Sequence, residues 1–249
     1  MKVCVIGLGT IGTPVVKYIY DHGFQVCGYD LIKKSIENIE TFTDWEEVPK
    51  SDIYVVSVSS NNVEDACRKI SNKGKDSLVS IESTVPVGTC RRISETFDLP
   101  TLVHCPHRYW AEEPVDHGVK QLRVIGAVNK KNLERGLEFY RLLKIPLHVC
   151  PTIEIAEMCK IVENAYRFIQ IAFAEELRMI CEEKEIPFDG VRKACNTKWN
   201  IEICEARDGI YGACLPQDID FLSRLANHSS LLDGAILTDQ IYKRWIKKR

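Results

Sequence analysis

No run of about 18 apolar residues occurs in the 249-residue sequence, which excludes a membrane-spanning helix. A secretory signal is also lacking: the N-terminal MKVCVIGLGTIG is broken by glycines and passes into a helical pattern. There is no C-x-x-C pair among the 11 cysteines. With no signal and an odd cysteine count, free thiols in a reducing cytoplasm are expected. Cys4, Cys27 and Cys159 lie in apolar runs and read as small buried residues. An excess of one charge is missing too, the formal net charge being −2, so neither nucleic acid nor a membrane surface is an expected partner. The basic tip KRWIKKR reads as a solvated helix C-terminus that suits the helix dipole rather than as a phosphate-binding tail. Repeats and low-complexity segments are absent, and a chain that is 45% hydrophobic and 27% charged is not disordered.

What is present is an alternation. Short apolar runs (KVCVIG, FQVCGYD, DIYVVSVS, SLVSIEST, TLVHCP, LRVIGAV and PLHVC) are interleaved with helical stretches, notably residues 11–22 and 130–143. That pattern predicts an α/β fold, a Rossmann-type doubly wound parallel sheet covered on both faces. After Pro151 the character changes. Residues 152–185 hold no Gly or Pro and predict one helix of roughly nine turns. Helices near 188–200, 218–228 and 231–247 follow, so the expected division is a sheet domain, 1–150, and a smaller all-helical domain, 151–249.

Gly7, Gly9 and Gly12 spell G-x-G-x-x-G between the first strand and the first helix, with Thr10 and Ile11 inside the turn. Such glycines permit a tight turn and close approach of backbone to a pyrophosphate, which then meets the helix N-terminus. Asp30 ends the second strand, 18 residues past Gly12. A carboxylate there bonds the ribose hydroxyls and repels a 2′-phosphate, which favours NAD over NADP, although Lys33 and Lys34 soften that preference.

On the long helix Lys160 and Asn164 share a face, and such a pair can polarise a substrate oxygen. On spacing alone the plainer reading is a surface lysine beside a packing amide. Cys214 alone would likewise read as structural, but it sits in GIYGACLPQD, with Gly209, Gly212 and Pro216 shaping a loop and Asp218 four residues on. The cluster His104, Cys105, His107 and His117 matches no standard metal spacing, and no metal is expected. Trp110 reads as a packing residue.

GLGTIG, ESTVPVGT, AEMCKIVENAYRFIQIAFAEEL and GIYGACLPQD resemble, in order, motifs of the UDP-glucose/GDP-mannose dehydrogenase family. The resemblance runs over nearly the whole chain and is most specific in the helix and the cysteine loop. It implies oxidation of the sugar 6-alcohol of a UDP- or GDP-sugar to a carboxylate with two NAD in succession, through a thiohemiacetal and a thioester. Cys214 would be the nucleophile, and Lys160 and Asn164 would stabilise the oxyanion. Asp218 would orient a water and Lys160, and Thr84 would hold a water. The helical domain would form a homodimer.

Four departures qualify the resemblance. The family carries a further nucleotide-binding domain, and this sequence stops at Arg249, about where it would begin. CPHRYW stands where the family has Pro-Glu, so His107 replaces a glutamate that helps water attack the thioester; His107 can act as a base near neutral pH, with Glu112 or Glu113 as substitutes. Arg108 and Tyr109 are candidates to contact a phosphate or sugar. Gln217 replaces a lysine beside the cysteine, and VSSNN replaces a Pro-Thr-Pro turn, leaving Ser59 and Ser60 to serve the nicotinamide ribose. Two other readings stay open: a hydroxyacid dehydrogenase with one hydride transfer and an idle Cys214, and a non-catalytic NAD-binding protein.

Overall fold

The structure is a computed structural model that describes residues 1–248. Arg249, which ends the basic tip and the expected second domain, lies outside the described residues. Eight strands form one sheet: β1 (Lys2–Ile6), β2 (Gln25–Tyr29), β3 (Glu40–Phe42), β4 (Ile53–Val56), β5 (Leu78–Ile81), β6 (Leu102–His104), β7 (Arg123–Ala127) and β8 (Leu147–Val149), in the order β3-β2-β1-β4-β5-β6-β7-β8. The Rossmann-type expectation holds, with one exception to the all-parallel sheet. β7 runs antiparallel to β6. The chain between them forms no helix, so nothing carries it back across the sheet for a parallel return.

Alternation within β1 explains the two faces. Val3 and Val5 pack with Val15 and Ile19 of α1 (Gly12–Asp21) and Phe139 and Tyr140 of α4 (Lys130–Leu142). Cys4 and Ile6 pack with Ala66 and Ile70 of α2 (Val63–Gly74) and Cys90 and Ile93 of α3 (Thr89–Thr96). Buried on both sides, β4 and β5 are uninterrupted apolar or small-residue runs. The chain winds outward from β1 to β3, then crosses to β4 on the other side of β1. The carboxyl ends of β1 and β4 therefore flank a topological switch point, where open α/β sheets bind ligands.

The chain forms two compact units, Met1–Lys160 and Ile161–Arg249, divided inside α5 (Ile153–Glu183). The first turns of α5 are built into the sheet unit. Ile153 and Ala156 are fully buried in its clusters, and the buried Glu157 carboxylate accepts hydrogen bonds from Gly88 N (2.6 Å) and Cys90 N (2.7 Å) at the start of α3. The second unit comprises the rest of α5, α6 (Phe188–Cys195), α7 (Cys214–Ser223) and α8 (Ser230–Ile246). Its core joins Ala165, Phe168 and Ala172 of α5 to Ile219 of α7 and Ala235 of α8.

Candidate functional site

In the sheet unit the turn from β1 to α1 is set by crowding. Gly7 has φ +91°, and a Cβ there would lie 2.4 Å from Ser57 O; a Cβ on Gly12 would lie 1.7 Å from Gly7 O. Only glycine fits either place. At Gly9 the same construction meets no atom within 4 Å, which leaves room for a phosphate beside the N-terminus of α1. Thr10 is exposed, and Ile11 packs partly under the helix. Asp30 braces the turn: its Oδ2 accepts from Leu8 N (2.7 Å) and its Oδ1 from Ile32 N (2.9 Å). Each oxygen has a second lone pair for a ribose hydroxyl. A cleft of about 300 Å³ opens here, lined by Gly7, Gly9, Asp30, Leu31, Ile32, Ser57, Ser59 and Lys69 among others. Leu31 and Ile32 are 71% and 68% exposed and give the cleft an apolar flank. Glycine cradle, carboxylate and apolar flank fit an adenine dinucleotide.

The neighbouring loops are stitched together. Val58 N donates to Ser83 Oγ (2.9 Å), and Ser60 Oγ donates to Thr84 O (2.6 Å). Ser59 Oγ accepts from Asn62 Nδ2 (3.0 Å). These bonds set Ser59 and Thr84 on adjoining loops beyond the carboxyl ends of β4 and β5.

A buried charged cluster lies beside them, which sequence reasoning missed apart from His107. Glu82, directly after β5, accepts from Arg123 Nη1 (3.1 Å) and Tyr140 OH (2.5 Å) through Oε1, while Oε2 lies against His107 Nε2. Tyr140 OH also pairs with Ser80 Oγ (2.6 Å), and Arg123 Nη2 donates to Val119 O (2.8 Å). Despite burial, the charges of His107 and Arg123 hold the Glu82 carboxyl down at about 2. Burial pushes the His107 pKa below its usual value, and the positive charges of Arg123 and Lys160 add to that, against the opposing pull of Glu82. The signals were legible in part: a glutamate ends the apolar run SLVSIEST, and an arginine opens RVIGA.

Arg108 closes the segment before β7, donating from Nη1 to Leu122 O (3.1 Å) and from Nη2 to Cys159 Sγ (3.8 Å). Tyr109 packs partly against the core. His104 is fully buried and burial lowers its pKa to about 3; burial raises Cys105 to about 12. His117 is exposed beside Glu113 (3.2 Å). Among the described residues no three potential ligands converge on a metal position.

In the helical unit Cys214 is the first residue of α7 rather than part of a loop, and its side chain is exposed. Pro216 is tolerated there because an early helical position needs no N–H. One turn on, Asp218 is fully buried. Its Oδ2 accepts from Asn164 Nδ2 (2.5 Å) and its Oδ1 from Gln217 Nε2 (3.2 Å). α5 also carries Lys160, one turn before Asn164. The approach to Cys214 is clipped to α8. Asp239 Oδ1 accepts from Ile210 N (2.8 Å), and Lys243 Nζ donates to Asp239 Oδ2 (2.8 Å) and Ile210 O (2.5 Å). Gly209 has φ +111°, and a Cβ there would strike Lys243 Cγ at 2.6 Å. Nothing in the sequence pattern ties α8 to this segment.

A glycine-turn sheet with an acidic residue ending β2, followed by a helical unit, defines a two-unit NAD-binding protein. Residues 2–96 match the NAD binding domain of 6-phosphogluconate dehydrogenase. Residues 154–239 match the central domain of the UDP-glucose/GDP-mannose dehydrogenase family. The chain is similar to named members of that family. It is 27% identical to a UDP-N-acetyl-D-mannosamine dehydrogenase of Methanococcus vannielii, over 94% of this chain and 64% of the relative. The Escherichia coli protein of that name is 26% identical, over 88% of this chain and 64% of the relative. The chain thus spans a little under two thirds of the length of these curated relatives. In fold it is similar to a UDP-D-ManNAc dehydrogenase of Pyrococcus horikoshii (TM-score 0.89, 23% identity, 97% of this chain and 69% of the other). It is also similar in fold to a 3-hydroxyisobutyrate dehydrogenase of Mycobacterium tuberculosis (TM-score 0.75, 13% identity, 98% and 93%).

Proposed function

We propose that the chain oxidises the 6-alcohol of a nucleotide sugar toward the uronate, with Cys214 as the covalent nucleophile. The observation that carries this reading is the setting of Cys214: an exposed thiol opening α7, one turn from a buried Asp218 that is bonded to Asn164 of α5. A single-hydride dehydrogenase has no use for an exposed cysteine at that place. The names of the relatives make UDP-N-acetyl-D-mannosamine the first sugar to try.

Gly7, Gly9, Thr10, Ile11, Gly12, Ser59 and Thr84 would hold NAD at the glycine turn, with Asp30 on its ribose, and NAD would supply the hydride acceptor. The thiolate of Cys214 adds to the C6 aldehyde, and loss of the second hydride leaves a thioester that water hydrolyses. Lys160 and Asn164 stabilise the oxyanion. Asp218 holds Asn164 by its amide and orients a water, a task Thr84 shares. His107 takes the place of a carboxylate base. Arg108 and Tyr109 contact the phosphate or sugar.

The second unit supports a homodimer. Along α5 the apolar residues Val162, Tyr166, Phe173 and Ile180 are exposed at coiled-coil-like spacing, and Trp199 is 92% exposed beside a groove of about 740 Å³. A set of cysteines that are all free fits a reducing, cytoplasmic setting. No helix of the described residues is long and apolar enough to cross a membrane.

The test is to incubate the protein with NAD and a panel of UDP- and GDP-sugars, counting NADH per sugar consumed, with Cys214→Ala in parallel. Two NADH per sugar, lost in the variant, is the expected result. One NADH per sugar with full activity in Cys214→Ala would replace this reading with single-hydride chemistry. No NADH with any sugar would leave a binding protein.

A further inference from the structure

We infer that Glu175 operates a pH-sensitive latch on the segment before Cys214. While Glu175 holds its proton, Asp239 and Lys243 clip that segment to α8. Once the proton passes to solvent, the carboxylate draws Lys243 off and the segment is freed. The latch lies within the helical unit and goes beyond the proposed reaction, whose substrate it does not require.

Glu175 is fully buried, and neither of its carboxyl oxygens makes a hydrogen bond among the described residues. Along α5 it is flanked by Ala172 and Ala174, which belong to the two apolar clusters of the unit. A buried carboxylate without a partner is costly, so the group is kept as the neutral acid. The charges that act on it are the two members of the clip, Asp239 and Lys243. Asp239 is the fixed member, buried and bonded to Ile210 N (2.8 Å). Lys243 is the movable one, a point charge on a flexible four-carbon stem. Its ammonium donates to Ile210 O (2.5 Å) and Asp239 Oδ2 (2.8 Å) and lies over the Tyr211 ring at 4.6 Å. The stem also fills the space above Gly209, with Cγ and Cε 2.6 and 2.8 Å from where a Cβ would stand. When Lys243 leaves, Ile210 loses a bond and Gly209 loses the wall beside it.

The other charged and titratable groups of the surrounding elements are committed elsewhere. On α5 itself Arg178 donates to Ala206 O (2.7 Å) and Tyr242 OH (2.7 Å). Tyr242 of α8 donates to Arg207 O (2.6 Å), and burial raises its hydroxyl above the usual value with help from Glu175 and Asp208, against the pull of Arg178. In α7 Asp218 is bonded to Asn164 and Gln217, and in α6 Arg192 is paired with Asp189 and Glu205. Lys243 is therefore the cation for which an ionised Glu175 competes with Asp239. The direction follows from linkage. In the closed state Glu175 is raised from 4.5 to about 8 by burial and by Asp239, against Lys243. In the freed state, paired with Lys243, it ionises nearer its ordinary value. The closed state holds the proton more tightly, so rising pH favours the freed state by up to about tenfold per pH unit. The drift ends near 8, where the closed state ionises as well. The thiol at the head of α7 is thus held in mild acid and loosened as pH rises.

The test is hydrogen-exchange mass spectrometry of the full chain from pH 6 to pH 9, parent against Glu175→Gln. Ile210 N–H bonds Asp239 directly, so peptides over residues 205–213 report the clip. The parent-to-variant ratio at each pH cancels the chemical exchange rate. In those peptides the ratio is expected to rise about tenfold or more between pH 6 and pH 8 and to level off above pH 8. In peptides of α6 and of the sheet unit it stays near one. The infrared difference spectrum between parent and Glu175→Gln at pH 7 is expected to carry the carbonyl stretch of a protonated carboxyl. A ratio that does not change with pH overturns the inference, and so does a missing carboxyl band. A rise shared equally by every peptide of the helical unit also overturns it, since that is general loosening and not a latch. Should Glu175→Gln not fold, Glu175→Leu, equally uncharged, takes its place in both measurements. Failure of the nucleotide-sugar reading, seen as no NADH from any sugar, leaves all of these outcomes unchanged.

Discussion

The two units bury charge in opposite ways. In the sheet unit Glu82 is surrounded: an arginine, a tyrosine and a histidine converge on one carboxylate. In the helical unit Glu175 of α5 is buried with neither oxygen bonded. Burial, with the nearby charge of Asp239, raises its pKa to about 8, against the opposing pull of Lys243. Partners keep the first carboxylate ionised, and burial keeps the second protonated through neutral pH. The burial of an acid therefore predicts nothing about its charge; its neighbours decide.

The contrast can be broken most sharply at its paired end. Glu82→Ala leaves Arg123 buried without its counter-ion and is expected to destabilise the sheet unit by about 3–5 kcal/mol. Calorimetry with hydrogen-exchange mass spectrometry, which separates the units by peptide, checks this. A loss confined to peptides of the helical unit would contradict it.

The pH responses come next. Glu82 has a folded pKa of about 2 against an ordinary 4.5, and His104 about 3 against 6.5. Both are lowered, so the stability they contribute is complete above the ordinary values. It is lost as pH falls, from 6.5 toward 3 for His104 and from 4.5 toward 2 for Glu82. Glu175 is raised from 4.5 to about 8, so its contribution is complete below 4.5 and declines as pH rises to about 8. The sheet unit is expected to loosen first in acid and the helical unit first in mild alkali, seen as a reversed order of unfolding at pH 4 and pH 9. The same order at both ends would break the comparison.

Smaller effects sharpen it. Glu175→Gln removes the alkaline charge and is expected to stabilise the protein at pH 9 by roughly 1–3 kcal/mol while changing little at pH 6. Thermal midpoints at the two pH values measure it. Gly209→Ala forces a side chain into a left-handed backbone position against Lys243 and is expected to cost about 1–3 kcal/mol. It should also change the rate at which a thiol reagent labels Cys214, and an unaltered labelling rate would mean that the clip does not position the segment before α7.

Much of the fold was legible because the signals are local. The glycine turn, Asp30 after its strand and the Gly- and Pro-free stretch of α5 each announce themselves within a few residues. Three elements were not placed. β3 is three residues long at the sheet edge, and α3 offers only Cys90 and Ile93 as buried anchors. α2 had a readable signal in Val63, Ala66, Cys67 and Ile70, spaced for one helix face. The helical pattern of α5 begins at residue 152, whereas the bonds of Glu157 to Gly88 N and Cys90 N, which tie its first turns to the sheet unit, leave no local signal. At the site, Cys214, Asn164 and Asp218 stand out through spacing. Glu82 and Arg123 leave only a charge at the edge of an apolar run, and Asp239 only an i,i+4 lysine, since their remaining partners lie tens of residues away.

The clip between α8 and the cysteine segment has a consequence for how such a sequence changes over generations. Asp239 bonds both Ile210 N and Lys243, and Lys243 returns to Ile210 O, so neither charge is replaceable alone. Losing the lysine strands a buried carboxylate, and losing the aspartate strands an ammonium against a glycine that has no room to yield. A change at either position is therefore expected to be tolerated best alongside a change at the other, with Gly209 confined by the same contact.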